Sequence, residues 1–187
     1  RQVGKTTIAQ NAIYSSKYSK YLNWDNIDSR KIILAGNQSI VENLPINIIP
    51  NVKPFIVFDE LHKYKNWKTL LKGFVDEYKS TLHIIVTGSA KLDVYRKGGD
   101  SLMGRYFLYR VCPLSVAEIA RGYYVEDVIS PPSQIDNELI TSLIEFGGFP
   151  ESFLKQDKRF HNRWQNMRFQ QLIREDIMDL AKIQELA

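Results

Sequence analysis

Four residues near the start of the chain, Gly4-Lys5-Thr6-Thr7, have the types and spacing needed to hold a phosphate. They form the second half of the pattern G-x-x-x-x-G-K-[ST]. Gly4 lets the backbone approach an anion closely. The amides from Gly4 to Thr7 open a helix and point at that anion. Val3 precedes the glycine and belongs to the same turn. Lys5 offers a positive charge to the β- and γ-phosphates of a nucleotide. Thr6 offers a hydroxyl to Mg²⁺, and Thr7 one to an α-phosphate oxygen. The first glycine of the pattern would fall just before Arg1, outside residues 1–187. Taken alone, the tetrapeptide also fits a Gly-Lys turn ahead of an ordinary helix.

A second group sharpens this reading. Phe55-Ile56-Val57-Phe58-Asp59-Glu60 is a short apolar run closed by two acids. Such a run suits a strand buried on both faces. Two carboxylates at its end would lie at the C-terminal edge of a sheet, where open α/β folds bind ligands. Asp59 would belong to the Mg²⁺ shell. Glu60 would polarise the water that attacks a γ-phosphate. The next buried run, Leu82 to Thr87, is closed by Gly88-Ser89. A hydroxyl there could sit between Glu60 and the γ-phosphate and sense it. Ser89 is the first choice and Thr87 the second, against an equal chance of a plain strand-ending turn.

These residues need elements to carry them. A helix is expected from Lys5 to about Lys20, with Ile8, Ala12 and Ile13 on one side. A short strand is expected at Tyr21–Trp24, ending in Asp25. Residues 30–44 read as a helix despite Gly36, and Pro45, Pro50 and Pro54 make a loop. Trp67 to Lys79 carries Leu70, Leu71, Phe74, Val75 and Tyr78 at helical spacing. Residues 91–104, with Gly98, Gly99 and Gly104 among charges, read as a mobile loop. Tyr106 to Val111 reads as a further apolar strand. Helical patterns follow at 114–121, 134–146 and 160–186, separated by Pro131-Pro132 and by Gly147-Gly148-Phe149-Pro150. Helices alternating with apolar strands argue for a parallel α/β sheet over residues 1–112. A helical lid would occupy 113–187.

Composition narrows the class. The chain has 187 residues, 44% hydrophobic and 25% charged, an ordinary globular mix that excludes disorder. Cys112 is the single cysteine, so there is no intramolecular disulfide or zinc ribbon, and a reducing, cytoplasmic setting is the natural reading. His62, His83 and His161 have no metal-ligand spacing. No apolar run approaches the length of about 18 residues needed to span a membrane. The net charge of +4 permits nucleic-acid contact without demanding it. There is no initiator Met, and the end falls inside a helical pattern. The chain therefore reads as an internal piece of a longer protein.

Arg1-Gln2-Val3-Gly4-Lys5-Thr6-Thr7, Asp59-Glu60-Leu61-His62-Lys63 with Trp67, Thr87-Gly88-Ser89-Ala90, Leu102-Met103-Gly104-Arg105, Pro113-Leu114-Ser115 with Glu118, and Gly147-Gly148-Phe149-Pro150-Glu151 occur in this order. The set resembles the prokaryotic AAA-like P-loop ATPases of the AAA_14 type, usually joined to a DUF4143 domain. The resemblance implies a three-layer P-loop fold with a parallel sheet ordered 5-1-4-3-2, and ATP hydrolysis with Mg²⁺. The first strand of that order would precede Arg1, and the DUF4143 domain would follow residue 187. The missing strand belongs mid-sheet, so Leu82–Thr87 and Tyr106–Val111 would lose partners, and unpaired buried backbone is costly. ATPase activity is accordingly expected of the full-length protein rather than of residues 1–187. His62 stands where the family often has Gln.

The resemblance also implies that Arg105 reaches the γ-phosphate of a neighbouring subunit, which would make the protein a homo-oligomer. A solvated arginine or a structural salt bridge is the equal alternative. Asp25 faces the site or, more simply, serves a turn or helix cap. The basic groups Lys91, Arg96, Lys97, Arg105, Arg110 and Lys155, Lys158, Arg159, Arg163, Arg168 read as solvated faces. Tyr123-Tyr124 reads as packing rather than a base-stacking platform. Two other functions fit the same residues: a nucleotide-gated switch or adaptor with slow turnover, and a DNA-binding protein regulated by ATP. Either would meet its protein or DNA partner through the domain beyond residue 187.

Overall fold

Three short parallel strands set the frame. The computed structural model describes residues 2–14, 18–45, 53–88, 102–122 and 134–173. In chain order the first unit contains α1 (Lys5–Tyr14), β1 (Lys20–Asn23), α2 (Ile27–Leu34), α3 (Asn37–Glu42), β2 (Phe55–Asp59), a 3-10 turn (Leu61–Lys63), α4 (Trp67–Tyr78) and β3 (His83–Val86). The sheet order is β1-β2-β3, all parallel, with Leu22 opposite Phe58 and Phe58 opposite Val86. This is the 2-3-4 run of the expected order.

Alternation along β2 separates two faces. Ile56 and Phe58 join a core with Leu22, Ile33, Ile40, Leu71 and Phe74 from β1 and α2–α4. Phe58 meets Phe74 edge-on at 5.4 Å between ring centroids. Val57 is fully buried outside that cluster, and Asp59, of the same parity, turns toward α1. Helices therefore cover both faces, as a buried parallel strand requires.

Four local expectations change. Lys20, expected near the end of the first helix, instead opens β1. Residues 30–44 form two helices, not one, because Gly36 takes φ +96°, a left-handed value that breaks the helix. Pro150 starts a helix instead of only separating two, since proline is tolerated at the first helical position. Tyr106–Val111 forms neither helix nor ladder, with Phe107 87% exposed. Apolar, β-compatible residues make a strand only beside a hydrogen-bonding neighbour. Among the described residues no strand pairs with it.

The chain divides into two compact units, Val3–Arg110 and Val111–Ala187. The second contains α5 (Val116–Arg121), α6 (Asn137–Phe146), α7 (Pro150–Lys155) and α8 (Lys158–Gln171). Ser115 and Glu118 close a reciprocal capping box on α5. Its hydrogen bonds from Ser115, backbone first, hold the Glu118 carboxyl below its usual range. Gly148 lies against Leu114, and a Cβ there would meet the Leu114 carbonyl oxygen at 2.3 Å. Phe149, His161 and Trp164 pack ring on ring beside the buried Ser152, whose Oγ lies 2.6 Å from His161 Nδ1.

Candidate functional site

The site assembles at the C-terminal ends of β2 and β3 and at the start of α1. Gly4 has φ +85°, and its carbonyl accepts the first helical bond from Ile8 at 2.9 Å. The amides that follow are the ones a helix leaves without intrahelical partners. Thr6, one turn in, donates its hydroxyl to Asp59 Oδ2 at 3.0 Å. The two halves of the candidate site, 53 positions apart in sequence, are thus in direct contact.

Asp59 is 2% exposed, and a carboxylate so buried needs donors. It receives three hydroxyls. Thr6 and Tyr21 donate to Oδ2, the latter at 2.5 Å, and Thr87 donates to Oδ1 in a short bond. The register explains the convergence. Tyr21 pairs with Val57, so its ring stands on the α1 face two residues from Asp59, about 6.6 Å along the strand. A phenol is long enough to cover that gap. Thr87 follows Val86, the partner of Phe58, and so lies level with Asp59. Burial, then the hydrogen bond to Asp59, pushes the Tyr21 phenol above its usual range and keeps it a donor across neutral pH. Tyr21 was not among the expected site residues. The available signal was its alternation with Asn23 in the strand beside the acid.

Glu60 is placed differently. It occupies the left-handed region at φ 56°, ψ 23°, directly after β2. Its carboxylate points back over the 3-10 turn, 3.4 Å from Lys63 Nζ and 3.7 Å from His62 Nε2. Asp25 does not cap α2; Asn26 does, accepting from the Ser29 amide. Asp25 instead lies in the turn after β1 and pairs with Lys63 at 2.5 Å. Arg105 is outside this group. Its guanidinium grips Asp76 of α4 through two bonds, 2.7 and 3.1 Å. Those bonds hold the Asp76 carboxyl below the usual aspartate range.

Ser89, Lys91, Arg96, Lys97 and Tyr123-Tyr124 lie outside the described residues. Of the second basic group, Lys155 approaches Glu151 and the Phe160 ring, and Lys158 pairs with Glu145. Among the described residues, no helix is long and apolar enough to cross a membrane. No group of three His, Cys, Asp or Glu side chains there could hold a metal unaided. Thr6 and Asp59 supply two hard oxygen donors side by side, the donor chemistry that would suit Mg²⁺.

A parallel sheet, a Gly-Lys-Thr turn opening a helix, and an acid ending the adjacent strand are the parts of a P-loop α/β domain. The model of the AAA_14 family, an AAA domain, matches residues 1–120, and the chain belongs to that family. An uncharacterized protein of Methanocaldococcus jannaschii, MJ1544, is 27% identical over 137 residues. That match covers 71% of this chain and 30% of the relative, so the chain spans about a third of the relative's length. No solved structure matches.

Proposed function

We propose that the protein containing this chain binds ATP with Mg²⁺ and hydrolyses it. The contact of Thr6 with Asp59 carries the reading, because it joins the phosphate-type turn to the strand-ending acid. The amides of Gly4–Thr7, with Val3 behind them, cradle the phosphates. Lys5 neutralises the β- and γ-phosphates. Thr6 and Asp59 would hold Mg²⁺, which supplies charge neutralisation in phosphoryl transfer. Glu60 orients the attacking water, and Ser89 or Thr87 senses the γ-phosphate. Residues 1–112 act as the core and 113–187 as a helical lid, in a cytoplasmic setting.

Asp59→Ala tests the carrying contact. It leaves three hydroxyls without their acceptor and removes the candidate metal ligand. The expected result is a loss of Mg²⁺-dependent nucleotide affinity, with Mg²⁺-free binding much less affected. Titration with ATP in Mg²⁺ and in EDTA reads this. Equal affinities for the variant and wild type in Mg²⁺ would remove Asp59 from the metal shell.

Arg105 stands in this reading as a cation offered to the γ-phosphate of a second copy, and it must leave Asp76 to act so. Arg105→Ala is then expected to keep ATP affinity and lower turnover. Added Lys5→Ala protein, which retains Arg105, restores part of it. An equal loss in Asp76→Ala, with a lower melting temperature in both, would assign the pair to structure alone.

A further inference from the structure

Glu60, Lys63 and Asp25 form a charged chain of which the ATPase reading uses only Glu60. Lys63 follows Glu60 by three residues through a 3-10 turn, where i and i+3 side chains eclipse. Its amide bonds the Glu60 carbonyl at 3.1 Å, which fixes the stacking. Both ion-pair contacts to Glu60 pass through one oxygen, Oε2. The ammonium makes its shorter contact with Asp25, at 2.5 Å against 3.4 Å. Asp25 is itself held in place. Trp24 beside it donates its amide to the Asp59 carbonyl at 3.0 Å and stacks on Tyr64, the residue after Lys63, at 4.8 Å. Arg30 lies 5.2 Å from the Trp24 ring centroid and bonds the Trp24 carbonyl.

We propose that Lys63 is a positioning residue for Glu60: it anchors one carboxylate oxygen so that the other faces the attacking water, and Asp25 fixes the lysine. The inference rests on the ATPase reading above. Desolvation pulls the Lys63 ammonium toward its neutral form, but Asp25 and Glu60 outweigh it and leave its pKa raised. The lysine therefore stays charged across neutral pH. All three side chains are partly exposed, and such pairs add little to stability. Their effect should appear in turnover instead of in the melting temperature.

The test compares Lys63→Met, Lys63→Arg, Asp25→Asn and the Asp25→Asn/Lys63→Met double variant in the intact protein. Steady-state ATP turnover, ATP–Mg²⁺ affinity and melting temperature are measured for each. Lys63→Met is expected to lower kcat about tenfold while affinity stays within about twofold, the pattern of a misplaced group that does not bind substrate. Lys63→Arg restores most of the rate. Asp25→Asn produces a smaller fall, and the double variant is no worse than Lys63→Met, because Asp25 acts only through the lysine. An unchanged kcat in Lys63→Met, a fall matched by lost affinity or melting temperature, or additive effects in the double variant would overturn the inference. Wild-type protein that does not turn over ATP overturns the ATPase reading and this inference with it. Active wild type, inactive Glu60→Gln and unimpaired Lys63→Met overturn this inference alone.

Discussion

Lys5→Ala is expected to abolish ATP–Mg²⁺ binding, with affinity falling at least about 10²-fold. Truncating one partner of a desolvated charge pair costs about 2–5 kcal/mol, and the triphosphate would lose its one lysine in the loop. The backbone amides remain, but amides alone offset only part of the phosphate charge. Lys5 sits at the first position of α1 and makes no contribution to the apolar core, so folding should be unaffected. Isothermal titration with ATP–Mg²⁺ measures the effect, and thermal melting without nucleotide controls for stability. Unchanged affinity would refute the phosphate-turn reading and the function built on it.

Glu60→Gln should do the reverse, keeping ATP bound while slowing hydrolysis at least about 10²-fold, the scale of a lost acid/base group. The amide is nearly isosteric, so the backbone after β2 need not move. It can still accept a hydrogen bond, but it cannot draw a proton from water. The decisive measurement is single-turnover phosphate release from preloaded protein, which separates chemistry from binding. Normal release would mean that another group activates the water. Thr87, already bound to Asp59, lacks the basicity for that task.

The pairing of loop and acid was legible in the sequence because each half is a local pattern. Gly4-Lys5-Thr6 marks a helix start, and four apolar residues before Asp59 mark a buried strand. What was not legible depends on register. Tyr21 reaches Asp59 only because β1 lies beside β2 with Leu22 level with Phe58. A slip of one residue would turn the phenol to the other face. The pairing of Asp25 with Lys63 hides for a similar reason, since it needs Trp24 and Tyr64 to stack first. Tyr106–Val111 shows the opposite failure. Its composition is that of a strand, but a ladder is a property of two segments. Gly36 and Pro150 were visible as punctuation, yet their meaning lay in backbone angles: φ +96° at the one, a permitted first helical position at the other.

The left-handed backbone at Glu60 bears on how this position would respond to selection. A non-glycine side chain there gives up roughly 1 kcal/mol relative to a relaxed backbone. Folding alone would favour glycine or asparagine, which visit that region at lower cost. A search for thermostable variants that ignored turnover would be drawn to this residue and would remove the carboxylate that directly follows β2. With Glu60 in its proposed role, stability and catalysis would compete at a single codon, and a hyperstable derivative altered at position 60 should be screened for activity before it is trusted as a substitute for the parent.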